Sequence, residues 1–184
     1  FKSLERVELR LGKLNLFIGT NASGKSNLLD ALRVLQGVGY GFTISEIFDG
    51  KPKGASSVVW DGIRGGSKDA VMRLLKPKMG PNPHKGTCRF VAQFRSGDDL
   101  YDYEIVLHPV SGAVRHESLA VNDKKIFATV KTSERAPTIR AQIPTDKVGQ
   151  PPKRDFEKNR SILHQLLREN NLPAERQAML ERCV

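Results

Sequence analysis

The sequence predicts an α/β fold in which a phosphate-binding loop joins a strand to a helix. Residues 19–26 match the template G-x-x-x-x-G-K-[ST] at every position. The residues before them, 14–18, form a short and mostly apolar run, which is typical of a buried strand in a parallel sheet. The residues after them, 27–35, place apolar side chains on one helical face, and Gly37 stands where a glycine commonly ends a helix. This order of strand, loop and helix is the context that the template requires.

The residue types in this loop indicate nucleotide binding. Small residues allow backbone N–H groups to converge on phosphates, and the start of the helix favours an anion through its unpaired N–H groups and its dipole. In this template the lysine, here Lys25, reaches the β- and γ-phosphates, and the hydroxyl of Ser26 ligates Mg²⁺. ATP and Mg²⁺ are therefore the predicted ligands, and Lys25 is the predicted catalytic residue. The predicted nucleotide-binding residues are Gly19, Asn21, Ala22, Ser23, Gly24, Lys25, Ser26 and Asn27. The alternative, a glycine-rich turn that happens to precede Lys-Ser, is disfavoured by the flanking strand and helix.

The first eleven residues predict a strand that precedes this unit. Val7, Leu9 and Leu11 alternate with charged residues, as in a half-buried strand. A turn at residues 12–13 would place this strand beside residues 14–18. We therefore expect an opening β-hairpin that leads into the phosphate-binding loop.

The remaining chain predicts a β-rich region followed by helices. Residues 87–131 alternate apolar and polar side chains between turn sequences, which indicates an antiparallel meander with one wet face. Residues 132–158 hold four prolines and several charges, so we expect a loop or linker there. Two helices are expected within residues 159–184, the first of them capped by Asn159 or Ser161. Shorter segments are assigned as loops over 37–57 and 76–86 and as strand-like runs over 58–60 and 70–75.

Composition limits the classes of protein that fit. A chain of 184 residues can form one domain with a proper core, or one and a half small ones. The net charge of +10 suits a polyanionic partner such as nucleic acid, although the basic residues are spread along the chain and aromatic residues make up only 7%. No apolar run approaches the ~20 residues that span a membrane, and no signal-peptide pattern is visible. Cys88 and Cys183 are far apart and lie in no reactive motif, as in a reduced cytoplasmic protein.

The opening residues and the loop together resemble a known family. Phe1-Lys2-Ser3-Leu4, residues 16–27 and the aliphatic helix after them are similar to the N-terminal half of the SMC/RecF/OLD-type ATPases, which are ABC-type P-loop ATPases. The nearest likeness is to bacterial AAA family ATPases with OLD-like heads. Asn21 and Asn27 are the informative residues, because a generic phosphate-binding loop does not require them. Ala22 departs from the pattern, which usually has glycine there.

This resemblance is specific in its motifs over residues 1–36 and loose over 58–131. After residue 132 it rests only on the position of the segment along the chain. It implies an ABC-type lobe in which a mixed sheet surrounds the P-loop strand and helix, with an antiparallel meander and then C-terminal helices. Residues 1–131 would form the ATPase lobe, 132–158 a linker, and 159–184 the start of a helical insertion. The implied activity is ATP hydrolysis coupled to DNA repair, DNA maintenance or phage defence. The implied assembly is a homodimer or higher oligomer formed through the ATPase heads, and no membrane is expected as a partner. DNA and an effector protein or nuclease are possible further partners.

The segment Ile63–Ala70 resembles the arginine loop of this family, which in relatives lies near the nucleotide or contacts DNA. The resemblance makes Arg64 a candidate cofactor-binding residue, together with Lys2 and Ser3 of the opening. An exposed turn arginine is the alternative interpretation of Arg64. Asp61 follows a short apolar run but lacks the glutamate of a Walker B motif, so it is interpreted as a turn residue.

Two parts of the family's site have no counterpart in the sequence. No apolar run ends in Asp-Glu, and no signature loop begins with serine before a helix. We therefore expect the rest of the ATPase to lie outside these 184 residues. A clamp module that binds ATP without hydrolysis is the second hypothesis, and a small-molecule P-loop kinase is a third. The four histidines, His84, His108, His116 and His164, have no metal-ligand spacing and are interpreted as ordinary residues.

Overall fold

The structure, a computed structural model, describes residues 1–51, 59–71, 86–145, 150–169 and 173–184. Helices α1 to α3 come first, a six-stranded sheet follows, and helices α4 and α5 close the chain. The helices are α1 (Lys25–Gly39), α2 (Ile44–Asp49), α3 (Gly66–Asp69), α4 (Ile162–Leu167) and α5 (Ala174–Glu181). The strands are β1 (Cys88–Ser96), β2 (Asp99–His108), β3 (Ala113–Val121), β4 (Lys124–Thr129), β5 (Thr138–Gln142) and β6 (Lys153–Glu157), with a 3₁₀ turn at Pro109–Ser111.

The sheet is an antiparallel meander in which each strand pairs with the next along the chain. The meander predicted over residues 87–131 is confirmed by β1 to β4. The loop predicted over 132–158 is wrong in two places, because β5 and β6 extend the sheet there. Each of these strands is five residues long, and together they bury only Ile139, Ala141 and Phe156. So short an apolar pattern, set between prolines, gives little sequence signal for a strand.

Helices α1, α2 and α4 contribute to one hydrophobic core together with the alternate, inward-facing residues of the sheet. Helix α2 lies inside the segment predicted as a loop. It starts with a capping box, in which the Thr43 side chain accepts from the Glu46 N–H and Glu46 accepts from the Thr43 N–H. The largest buried side chains of this core are Phe48, Tyr101 and Phe127, with Ile44, Ile47, Ile105, Leu107, Leu119, Ile162, Leu166 and Leu180.

Helix α1 is longer than predicted, because Gly37 does not end it. The helix continues to Gly39, and Tyr40 is its C-cap. A Cβ atom at Gly37 would lie 2.8 Å from Ile47 Cγ1 and 3.1 Å from Trp60 Cζ2. The glycine therefore serves close packing of α1 against α2 rather than helix termination.

A buried carboxylate fastens helix α4 to the sheet. Glu117 on β3 is fully buried and accepts four hydrogen bonds. The donors are Tyr103 Oη at 3.0 Å, Ser161 Oγ at 2.7 Å, and the N–H groups of Ile162 at 2.7 Å and Leu163 at 3.1 Å. Burial raises the pKa of Glu117, although these hydrogen bonds act to lower it. The predicted helix start at Ser161 is confirmed, and so is the second C-terminal helix.

The predicted opening hairpin is not formed. Residues 1–24 lie outside any helix or strand, although a turn exists in which the Gly12 N–H donates to Asn15 Oδ1 over 2.9 Å. Leu14, Leu16 and Ile18 are 93%, 81% and 85% exposed. A strand of a parallel sheet is stable only when neighbouring strands pair with its edges and helices cover both of its faces. The part of the chain that the structure describes contains no parallel strand, so the predicted mixed sheet is also wrong there.

The two further strand predictions, 58–60 and 70–75, fall partly outside the described ranges, at residue 58 and at residues 72–75. The described residues of those segments, Val59–Trp60 and Ala70–Val71, are not in strands. Among the described residues, no helix combines the length and the hydropathy needed to cross a membrane.

Candidate nucleotide-binding site

The phosphate-binding loop turns through two residues with left-handed backbone conformation. Ala22 has a φ of 64° and Gly24 a φ of 93°. A Cβ atom at Gly24 would lie 3.3 Å from Leu4 Cδ2, so both conformation and space favour glycine there. At Ala22 the same region of φ costs roughly 1–2 kcal/mol, because the methyl group crowds the backbone. Between these two residues, the Ser23 N–H donates to the Thr20 carbonyl over 3.3 Å.

Helix α1 begins directly after this loop with N–H groups that have no acceptor. Gly24 is the N-cap, and the first bond of the helical type runs from the Leu28 N–H to the Gly24 carbonyl over 3.0 Å. The N–H groups of Lys25, Ser26 and Asn27 find no acceptor among the residues that the structure describes. The first turn also carries no acidic side chain. The start of α1 is therefore an open, positively polarised end that fits a phosphate.

The ammonium group of Lys25 rests on the loop that it belongs to. It donates to the Gly19 carbonyl, to the Thr20 carbonyl at 2.6 Å and to Ser23 Oγ at 3.3 Å. These acceptors are neutral, so a phosphate would not have to displace a carboxylate from the lysine. The predicted role of Lys25 as a phosphate contact fits this arrangement.

The other predicted ligands divide into two groups. Asn21 and Ser26 are exposed on the loop and on the first turn of α1, where Ser26 could offer its hydroxyl to Mg²⁺. Asn27 instead donates from Nδ2 to Ser3 Oγ over 2.6 Å. This bond fastens the opening turn to the start of α1, so Asn27 and Ser3 hold each other in this structure.

Lys2 and Arg64 meet on an aspartate that sequence reasoning missed. Lys2 Nζ lies 2.5 Å from Asp30 Oδ2, and an Arg64 terminal nitrogen lies 3.0 Å from the same oxygen. Lys2 Nζ also donates to the Arg64 carbonyl over 2.7 Å. The structure thus brings two of the predicted residues together beside α1. An aspartate one turn after Ser26 in an aliphatic helix was the available signal for this contact.

The other titratable candidates form no site. Among the described residues, no group of three or more His, Cys, Asp or Glu side chains could hold a metal ion. His108 accepts from the Ser111 N–H, and His116 is hydrogen-bonded to Thr129 Oγ1, while His84 lies outside the described ranges. Burial raises the pKa of Cys88 to about 11 and that of Cys183 to about 12, which keeps both thiols protonated at neutral pH.

A groove lies away from the phosphate-binding loop, on the wet face of the sheet. It encloses about 680 Å³ and is lined by residues of both charge signs, among them Arg89, Arg115, Glu104 and Glu134. Arg89 and Glu104 already pair with each other at 2.7 Å. Basic side chains are in excess in the lining, because Lys131 and Lys158 also line the groove, whereas its acidic residues are Glu104 and Glu134.

The comparison with known families matches the part of the chain that holds the loop. Residues 14–69 match a family model described as "AAA domain, putative AbiEii toxin, Type IV TA system". The matched segment covers less than a third of the chain and runs from the exposed apolar residues through the loop and α1 to the Arg64 turn. The match supports a P-loop ATPase-type nucleotide-binding domain, and it does not single out the SMC/RecF/OLD subfamily. No curated protein and no solved structure matches the chain.

Proposed function

We propose that this chain binds ATP and Mg²⁺ at residues 19–26 as the nucleotide-binding part of an ATPase. One observation carries the proposal. Among the described residues, three N–H groups at the start of α1 have no acceptor, and they lie beside a lysine that neutral oxygens hold. The match to an AAA domain over the same residues supports it independently.

Each residue of the loop has a defined part in this proposal. Lys25 leaves the Gly19 and Thr20 carbonyls and donates to the β- and γ-phosphates. These phosphates lie against the N–H groups of residues 22–27, and the Ser23 N–H leaves the Thr20 carbonyl, to which it donates over 3.3 Å, to join them. Ser26 offers its hydroxyl oxygen to Mg²⁺, and Asn21 lines the loop. Mg²⁺, when bound, neutralises charge on the same phosphates. The chain's own residues thus position the phosphates and compensate their charge.

The wider role is proposed from the family resemblance. Hydrolysis would occur in an assembly of two or more ATPase heads, in the cytoplasm, and would be coupled to a DNA-related process or to phage defence. The net charge of +10 supports a polyanionic partner such as DNA. The description of the matched family names a putative toxin of a toxin–antitoxin system, which supports such a system as a further setting. In this proposal the residue that activates water comes from outside the described residues.

A clamp that binds ATP without hydrolysis is the second candidate. The observation that favours it is the lack of a free carboxylate at the start of α1 among the described residues. The carboxylate nearest in sequence, Asp30, is held by Lys2 and Arg64. In an assay of the full-length protein, with and without DNA, release of inorganic phosphate above the level of a Lys25→Ala control would exclude the clamp. Tight binding without that release would support it.

Titration calorimetry with Mg·ATP tests the shared part of both candidates. Lys25→Ala should weaken binding about tenfold or more, because hydrogen bonds to charged groups contribute about 1.5–3 kcal/mol each. Lys13→Ala is the matched control, because it removes an exposed lysine from the turn before the loop and should leave binding unchanged. A wild-type chain that does not bind Mg·ATP, or a Lys25→Ala variant that binds it equally well, would overturn the proposal.

A further inference from the structure

Asp30 is a nearly buried carboxylate that two cations approach from different parts of the chain. It is 8% exposed and lies on the core-facing side of α1. Lys2 Nζ and an Arg64 terminal nitrogen both contact its Oδ2 atom, at 2.5 Å and 3.0 Å. The contact joins the opening turn, helix α1 and the Arg64 turn at a single oxygen atom.

The two cations are not equivalent. The Lys2 side chain is 9% exposed, whereas the Arg64 side chain is 63% exposed. A buried carboxylate needs one opposite charge close to it, and Lys2 supplies that charge from within the structure. Arg64 is therefore the surplus cation of a cluster whose net charge is +1. Its guanidinium can bind a second anion without leaving Asp30 uncompensated.

The cluster is attached to the end of α1 that fits a phosphate. Asp30 lies four residues after Ser26, which is about one turn, or about 5.4 Å, along the helix axis. The opening turn that carries Lys2 also carries Ser3, whose Oγ accepts from Asn27 on the first turn of α1. The Lys2 backbone N–H further donates to the Ala70 carbonyl over 2.9 Å, which holds the segment after Arg64 in place.

We propose that Asp30 is a positioning residue of a phosphate subsite, and that it fixes the Arg64 guanidinium beside the start of α1. Arg64 then contributes to binding the phosphates of the nucleotide. Asp30 acts only through Arg64, and Lys2 balances its charge. This inference rests on the proposed function, because it assumes that the loop binds a nucleotide.

A double-mutant cycle on Mg·ATP affinity tests the inference. The four proteins are wild type, Asp30→Asn, Arg64→Ala and the double variant. Each single change should weaken binding about fivefold, and the double variant should bind no more weakly than Arg64→Ala alone, because an effect transmitted by Arg64 disappears with it. Arg140→Ala is the matched control, since it removes a half-exposed arginine that pairs with Asp155 on the sheet, and it should leave affinity unchanged.

Two additions keep the cycle interpretable. If Asp30→Asn does not fold, Asp30→Glu takes its place in the cycle, because it retains the negative charge. It should weaken Mg·ATP binding only in proteins that keep Arg64. Thermal melting checks that Arg64→Ala retains the fold, as its exposure leads us to expect. Binding of a short DNA duplex is measured in parallel with the same proteins.

Three outcomes would overturn the inference. Additive effects of Asp30→Asn and Arg64→Ala would give Asp30 a purely structural role. An Arg64→Ala variant with normal Mg·ATP affinity and weakened duplex binding would assign the arginine to nucleic acid. In both cases a loss of binding in Lys25→Ala would leave the proposed function intact. If wild type itself does not bind Mg·ATP, the proposed function fails and this inference fails with it.

Discussion

At the scale of single residues, the phosphate-binding loop depends on two left-handed backbone positions, Ala22 and Gly24. Glycine adopts this conformation at no steric cost, whereas alanine does not. The alanine nevertheless keeps its N–H, so the loop retains its capacity to bind an anion. Alanine at position 22, with its φ of 64°, therefore predicts a backbone strain in this chain.

Ala22→Gly should relieve that strain. The gain of roughly 1–2 kcal/mol from the left-handed region is offset by about 0.5–1 kcal/mol from the greater freedom of glycine in the unfolded chain. We expect the free energy of unfolding in urea to rise by up to about 1.5 kcal/mol. Ala31→Gly, in the middle of α1, is the control and should lose about 1 kcal/mol or more. If Ala22→Gly destabilises as much as the control does, the strain is absent.

At the scale of elements, Glu117 holds helix α4 to the sheet, because its carboxylate accepts hydrogen bonds from four donors. Glu117→Gln replaces one accepting oxygen with an NH₂ group that faces donors. We expect a loss of about 1–3 kcal/mol in the free energy of unfolding, which is typical of a buried hydrogen-bonding group left without a partner. Glu104→Gln alters a more exposed carboxylate that pairs with Arg89, and it should cost no more than about 1 kcal/mol. Equal losses in urea unfolding would contradict this assignment.

The difference in stability between wild type and Glu117→Gln should depend on pH, because the pKa of Glu117 differs between the folded and unfolded states. Burial raises this pKa in the folded state above the unfolded value of 4.5. The stabilisation from protonating Glu117 is fully present below the unfolded pKa and is lost as pH rises through the folded pKa. The stability deficit of Glu117→Gln relative to wild type should therefore be larger at about pH 4 than at about pH 7.5. A deficit that shrinks on acidification would mean that the folded-state pKa is lowered instead.

Local patterns predicted several of the elements. The loop and α1 followed from a complete template and a helical period, and β1 to β4 followed from strict alternation between turn sequences. Helix α2 was missed because six residues are too few for a helical period. Its capping box at Thr43 and Glu46 was a usable signal.

Other features depend on contacts that are distant in the sequence. Residues 14–18 are apolar enough for a buried strand, but a strand requires partners that the described residues do not supply. Asp30 has partners at positions 2 and 64, and no spacing rule connects them. The family pattern could therefore point to Lys2 and Arg64 without indicating what holds them together.

At the scale of the whole molecule, the most unusual surface is the apolar run at Leu14, Leu16 and Ile18. Contiguous exposed apolar side chains mark interaction sites or promote association. We expect the double variant Leu16→Ser, Ile18→Ser to change the free energy of unfolding by no more than about 0.5 kcal/mol, since these side chains are already in water.

Sedimentation measurements should show that this variant associates less than wild type at high concentration. For the unfolding measurement, Leu119→Ala in the buried core is the control, and it should lower the free energy of unfolding by about 2–5 kcal/mol. A large loss of stability in the serine variant would show that residues 16 and 18 are buried in solution.

The central claim is that a nucleotide's phosphates bind at the start of α1, and amide chemical shifts report on that end of the helix directly. Addition of Mg·ATP to ¹⁵N-labelled protein should shift the amide signals of Lys25, Ser26 and Asn27 most strongly, because their N–H groups gain acceptors. Signals from β5 and β6 should stay unchanged, and Lys25→Ala should abolish the shifts at the same nucleotide concentration. Shifts that are centred on the sheet, or that are the same in wild type and Lys25→Ala, would contradict the account.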